Sequence, residues 1–166
     1  MAAALPRRRG LTLIEVMIAL AILAILATMA APTLTERLAR QRLVSAAETL
    51  AMDMAEARVE AVQSGQPLHV VFSRQRNWCY AVARTAACSC ESAQPCQLKV
   101  ERASDWPSVI LAHAENVTLL PVGTPDMGMN ARFVGVGGRH DLQVGLSPLG
   151  RSRVCSSTGM PGEPAC

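Results

Sequence analysis

From Leu11 to Ala31 the chain runs for 21 residues with only Thr12, Glu15 and Thr28 polar. As a helix rising about 1.5 Å per residue, that run is roughly 31 Å long, against a bilayer hydrocarbon core of about 30 Å. A carboxylate inside it costs about 2.5–3.5 kcal/mol at the bilayer centre and less toward an edge, so Glu15 needs a compensating partner. Arg7, Arg8 and Arg9 precede the run. They suit a secretory signal peptide, although the apolar stretch is too long for one. They also suit a plain anchor whose N-terminus stays in the cytoplasm, which leaves Glu15 unexplained. Cleavage after Gly10 accounts for every feature. It leaves a new amine on Leu11, four residues from Glu15, able to pair with a carboxylate in the same helix or a neighbouring one.

Beyond the run, Pro32 removes one helical N–H and is expected to kink the helix rather than end it. Leu43, Ala47, Leu50, Met54, Ala57 and Ala61 then recur at steps of four and three, one apolar stripe of small side chains suited to packing on a sheet. Arg42, Glu48, Asp53, Glu56 and Glu60 are read as lying mostly off it. Gly65 followed by Pro67 is a stop signal. From Leu68 the period changes to short β-type runs at 68–73, 78–83, 97–102, 116–121, 131–136, 141–147 and 151–157, separated by Gly, Pro, Ser or Asp. The expected fold class is α+β: a long N-terminal helix, transmembrane and then amphipathic, packed on an antiparallel β-sheet or β-sandwich domain. Its parts are a leader at 1–10, a membrane segment at 11–31, an amphipathic segment at 32–64 and a β-rich domain at 65–166.

With aromatics at 3% the core must come from Val, Leu, Met and Ala, and crosslinks would help so modest a core. Six cysteines in a short chain suit an oxidising compartment such as the periplasm. Cys155 and Cys166 are expected to pair and close the C-terminal tail. Cys79, Cys88, Cys90 and Cys96 pair locally in one of three ways, with Cys88–Cys90 the least favourable geometrically. His69, His113 and His140 are scattered, so no metal and no cofactor is expected. Nothing resembles a nucleophile elbow, a phosphate-binding loop or a metal-binding helix, so no catalytic residue is assigned and an enzyme is not expected. Asn116-Val117-Thr118 matches a glycosylation sequon but reads as the start of a strand. The formal +3 charge misleads: the leader holds three of the 16 basic residues, and the rest balance the 13 acids. Nucleic-acid affinity would need a local patch. Between Arg132 and Cys166, Arg132, Arg139, Arg151 and Arg153 stand against Asp141 and Glu163, a local excess of positive charge. Arg151 and Arg153, two apart on a strand, would share a face and reach successive phosphates. A solvated strand face is the alternative.

Gly10-Leu11-Thr12-Leu13-Ile14-Glu15-Val16 resembles the class III leader of type IV pilins and pseudopilins, with Leu11 where phenylalanine is commoner. The resemblance implies that a prepilin peptidase cuts after Gly10 and methylates Leu11. It also implies that Glu15 supports assembly by meeting the N-terminal amine of a neighbouring subunit. The segment "ARFVGVGGRHDLQVGLSPLGRSRVCSS" resembles the end of the FimT/GspH group of minor pilins, whose Gly-Arg-x-Arg segment is implicated in DNA binding during uptake. The matching positions are Gly150, Arg151 and Arg153, with Arg139 in the preceding turn; Ser147, Pro148 and Leu149 stand where some relatives carry a further basic residue. The implied function is a minor type IV pilin binding double-stranded DNA without sequence preference for natural transformation. The alternative is a structural or priming minor pilin, or the H-type pseudopilin of type II secretion. Implied partners are other major and minor pilins, the prepilin peptidase and double-stranded DNA. The implied location is the inner membrane, with the C-terminal domain in the periplasm, and then a surface pilus.

Overall fold

The computed structural model describes residues 12–74 and 77–166, and of 29–33 the backbone alone. Gly10 and Leu11 lie outside the described residues. The chain divides into two compact units, Met1–Arg37 and Leu38–Cys166.

Helix α1 spans Leu13–Ser64 without a break at Pro32. Thr12 caps its start, its Oγ1 accepting the Glu15 N–H at 3.3 Å, and Glu15 sits in the first turn, where the helix dipole favours an acid. Leu13, Ile14, Met17, Leu20, Leu23 and Leu26 are all exposed. Among the described residues no helix is long and apolar enough to cross a membrane; the run from Leu11 to Ala31 has its first residue and its last three side chains outside that set. The helix ends where Gly65 takes φ +65°, the left-handed conformation of a glycine C-cap.

In the second unit, β1 (Leu68–Ser73), β2 (Cys79–Ala83), β3 (Gln97–Arg102) and β5 (Val117–Leu119) form one sheet in the order β3-β2-β1-β5. The other sheet, ordered β4-β6-β7-β8, contains β4 (Val109–His113), β6 (Met129–Gly135), β7 (Asp141–Leu146) and β8 (Ser152–Cys155). All pairings are antiparallel. The structure is thus the expected α+β fold, with the β-domain resolved into two sheets. The strand β4 is an addition to the sequence reading. Val109 and Leu111 face the core while Ile110 is half exposed, so apolar residues on both sides hide the alternation on which strand recognition depends. The segment read as strand at 116–121 shortens to three residues, ending ahead of Pro121, which cannot donate to a ladder.

Leu43, Ala47, Leu50, Met54, Ala57 and Ala61 of α1 are all buried, and they join Val70, Tyr80, Val117, Phe133, Leu142 and Val144 from both sheets in one core. Alanines at four helix positions (46, 47, 57 and 61) let the backbone approach closely, and Leu43, Leu50 and Met54 fill the volume between. Trp78 packs edge-on against Phe133 at 5.5 Å. Its Nε1 donates to the Val109 carbonyl at 2.9 Å, which links the first sheet's β2 end to the second sheet's β4.

Candidate functional site

The β7–β8 hairpin carries the Gly-Arg-x-Arg segment. Ser147 N–H donates to the Arg151 carbonyl at 3.0 Å and Gly150 N–H to the Ser147 carbonyl at 2.8 Å; the Arg151 N–H donates to Ser147 Oγ at 3.1 Å. Arg151 therefore closes the turn and precedes β8, whereas the sequence reading had placed it on the strand with Arg153. Gly150 has φ +73°, and a Cβ there would stand 2.7 Å from the Gly123 carbonyl oxygen. Arg58, from α1, clamps the two loops: its Nε donates to the Gly123 carbonyl at 2.6 Å and its Nη1 to the Gly150 carbonyl at 3.4 Å. The glycine of the segment is thus required by the backbone around it. Arg58 was not singled out from the sequence, since a lone arginine on a helix carries no mark of its loop partners.

Arg151 and Arg153 are both exposed. Arg153 projects from β8, an edge strand, and its Nη2 donates to the Ala165 carbonyl at 3.2 Å. Among the described residues no carboxylate comes within ion-pair distance of Arg132, Arg151 or Arg153. Arg139 does not join them: it lies in the β6–β7 turn, at the far end of β7 from the hairpin. At about 3.3 Å per residue the six-residue strand separates the two ends by roughly 20 Å. Arg132, mid-strand on β6, is the arginine that shares a sheet face with Arg153.

The tail beside Arg153 is pinned at several points. Cys155 bonds Cys166, Met160 is buried, and Arg40 of α1 donates to the Pro161 carbonyl. Asp141 anchors the segment after β8. Its carboxylate accepts from Ser157 Oγ and, at 3.2 Å, from the Thr158 N–H, and its carbonyl accepts from Ser156 Oγ at 3.1 Å. Burial works to raise the Asp141 pKa, but the contacts from Ser157 and Thr158, with Arg132 adding its charge, hold it below the usual carboxylate value. The remaining cysteines pair as Cys79–Cys90, which ties the 84–96 loop to β2, and Cys88–Cys96, which closes that loop on itself.

Asp53 departs from its expected place off the stripe: it is buried to 2% exposure. Tyr80 Oη donates to its Oδ2 at 2.8 Å, and Lys99 Nζ to its Oδ1 at 2.5 Å. Burial first, and then the Asp53 charge, push the Tyr80 hydroxyl far above its ordinary pKa; the hydrogen bond to Asp53 raises Lys99. A buried acid with two donors joins α1 to β2 and β3 at a cost that either donor alone would not offset.

A helix capped next to an apolar run, followed by a disulfide-braced two-sheet domain, defines a pilin-type subunit. The prokaryotic N-terminal methylation motif matches residues 5–31, which marks an inner-membrane-anchored protein with a periplasmic domain. The family described as type II transport protein GspH matches residues 46–150, well over half of the chain, and the chain belongs to that family. Its members are structural proteins, not enzymes, which associate with other pilins or pseudopilins and with the prepilin peptidase. No curated protein sequence matches. Among solved structures, the type IV minor pilin FimU of Pseudomonas aeruginosa in its P21 crystal form is similar at 19% identity, covering 75% of this chain and 96% of that one, with a TM-score of 0.57. The minor pseudopilin EpsH of the type 2 secretion system of Vibrio cholerae is similar at 14% identity, covering 74% and 99%, with a TM-score of 0.53. At these identities the likeness is one of fold.

Proposed function

We propose that this chain is a minor type IV pilin that binds double-stranded DNA without sequence preference, for uptake in natural transformation. The observation that carries the reading is the pair of exposed guanidiniums, Arg151 and Arg153, beside an edge strand with no carboxylate among the described residues within ion-pair distance. Such groups neutralise phosphates and release counterions, so binding is salt-sensitive. With no aromatic beside them, they hold the backbone and read no bases. In the same reading the prepilin peptidase cuts after Gly10 and methylates Leu11, and the apolar run from Leu11 to Ala31 holds the subunit in the inner membrane. Glu15 then meets the new amine of a neighbouring subunit as the chain enters a surface pilus.

A purely structural subunit, either a priming minor pilin or a type II secretion pseudopilin, is the second reading. What favours it is that Arg58 and Gly123 account for Gly150 without any ligand, and that Arg153 already holds a tail carbonyl.

Duplex binding by the full chain in neutral detergent, followed across salt, separates the two. Arg151→Ala and Arg153→Ala should each weaken binding equally for all sequences and reduce the salt slope by about one. Arg139→Ala, at the other end of β7, is the comparison. In cells the double substitution should reduce transformation and leave surface pili. Unchanged affinity in the double variant, or loss of pili, would favour the structural reading.

A further inference from the structure

We propose that the DNA backbone is seated in a trough on the outer face of the second sheet, floored by Gly145 and flanked by Asn130, Gln143 and Arg153, with Arg132 as an additional phosphate contact. This rests on the DNA-binding reading above and moves the contact surface from the hairpin onto the sheet.

The register puts these residues together. Asn130, Gly145 and Arg153 stand in one line across β6, β7 and β8, and Arg132, Gln143 and Cys155 in the next. Cross-strand partners share a face. The alternating residues Met129, Ala131, Phe133, Leu142, Val144 and Leu146 are buried in the core, so the first set points outward.

Gly145 is the informative residue. A glycine inside a strand weakens it, and one is usually explained by a bulge, a left-handed φ or a crowding neighbour. None applies here. The pairing of β7 with β6 and with β8 runs through Gly145 without a register shift. Its φ is not positive, and a Cβ built on it meets nothing within 4 Å. What its missing side chain does is open a depression of 180 Å³ lined by Asn130, Gln143, Gly145, Arg153, Cys155 and Cys166.

That lining holds amide and guanidinium donors and no Asp or Glu side chain. The Ala165 carbonyl takes one Arg153 nitrogen and so steadies the guanidinium at the rim. Asn130 Nδ2 donates to Gln143 Oε1 at 3.3 Å, which leaves the Gln143 amide N–H groups to donate elsewhere. Arg132 stands two residues along and two strands across from Arg153, roughly 12 Å away by sheet geometry, and has no ion pair of its own. Asp141, on the same face at the start of β7, is buried with its carboxylate engaged by Ser157 and Thr158, so the exposed part of the face presents the two guanidiniums and the amide donors, which suit a polyanion. With backbone as its floor, the trough admits a phosphate more closely than side chains would.

The test is duplex-oligonucleotide binding by the full chain in neutral detergent, across salt, with thermal melting run alongside. Gly145→Val fills the trough with a strand-favouring side chain and keeps every arginine. It should melt no lower than the wild type and bind roughly tenfold more weakly, the same direction expected of Arg153→Ala. Arg132→Gln should reduce the salt slope by about one. Should the valine variant melt lower, Gly145→Ser, with a smaller intrusion, takes its place and should lose affinity in the same direction. If Gly145→Val (or its substitute) and Arg132→Gln bind like the wild type while Arg151→Ala or Arg153→Ala weakens binding, the hairpin alone meets DNA; the seat is then wrong and the DNA reading stands. A wild-type chain that shows no salt-dependent duplex binding overturns both.

Discussion

Replacing Gly150 with alanine would place a Cβ 2.7 Å from the Gly123 carbonyl oxygen, 3.0 Å from Arg58 Nε and 3.2 Å from Arg58 Cδ, at a backbone φ of +73°. The left-handed conformation costs a non-glycine residue about 1–2 kcal/mol. The carbonyl cannot yield without giving up its 2.6 Å bond from Arg58, and a hydrogen bond to a charged group is worth about 1.5–3 kcal/mol. Some relaxation of the hairpin lowers the total, so the variant should lose about 3 kcal/mol. For a domain of this size that is a fall of roughly 10 °C in melting temperature, read by calorimetry with the disulfides intact. Arg58→Met removes the clamp and leaves Gly150 unstrained, so it should cost less. The double variant should fall short of the two single losses added together by about 1 kcal/mol or more, because both substitutions remove the same bond. A fall under about 2 °C for Gly150→Ala, or full additivity with Arg58→Met, would refute the claim that the backbone needs this glycine.

Tyr80 is the chain's one tyrosine, so its ultraviolet titration is unambiguous. Its raised pKa means that the folded protein shows no phenolate as pH passes about 10; the stability this contributes is present below that pH and lost above it, and phenolate absorbance should appear only with unfolding. Asp141 is shifted the other way. Its contribution is present above about pH 4 and lost as pH falls through its lower folded value, so Asp141→Asn should flatten the acid limb of the stability curve while weakening the tail. Gly10→Val should leave an uncleaved, full-length protein by mass spectrometry. Glu15→Val should be cleaved normally, retain the wild-type melting temperature of the β-domain and fail to enter filaments; normal incorporation would refute the role given to that carboxylate.

Periodicity carries far in this chain because helix and sheet place side chains by simple repeats. The stripe from Leu43 to Ala61 and the stop at Gly65 are local consequences of a 3.6-residue turn and of glycine's access to positive φ. Alternation likewise locates most strands, and it misses β4 where both faces are apolar. The apolar run with its one acid, and the glycine-rich hairpin with its arginines, are also legible as linear patterns. Asp53 shows where that legibility stops: one position on a helical wheel cannot reveal a tyrosine from β2 and a lysine from β3 waiting above it.

What the order of residues settles is therefore the set of elements, their inward faces and the chemistry available at the surface, since each depends on near neighbours along the chain. Contacts between residues far apart in the chain belong to the folded state. Arg58 reaches Gly123 and Gly150 across 65 and 92 positions, Arg139 is carried to the opposite end of β7 from Arg151, and Arg132 is brought onto the face of Arg153. Strand order and register set these distances, and both arise when the helix and two sheets bury one shared core, a condition that no local window of sequence contains.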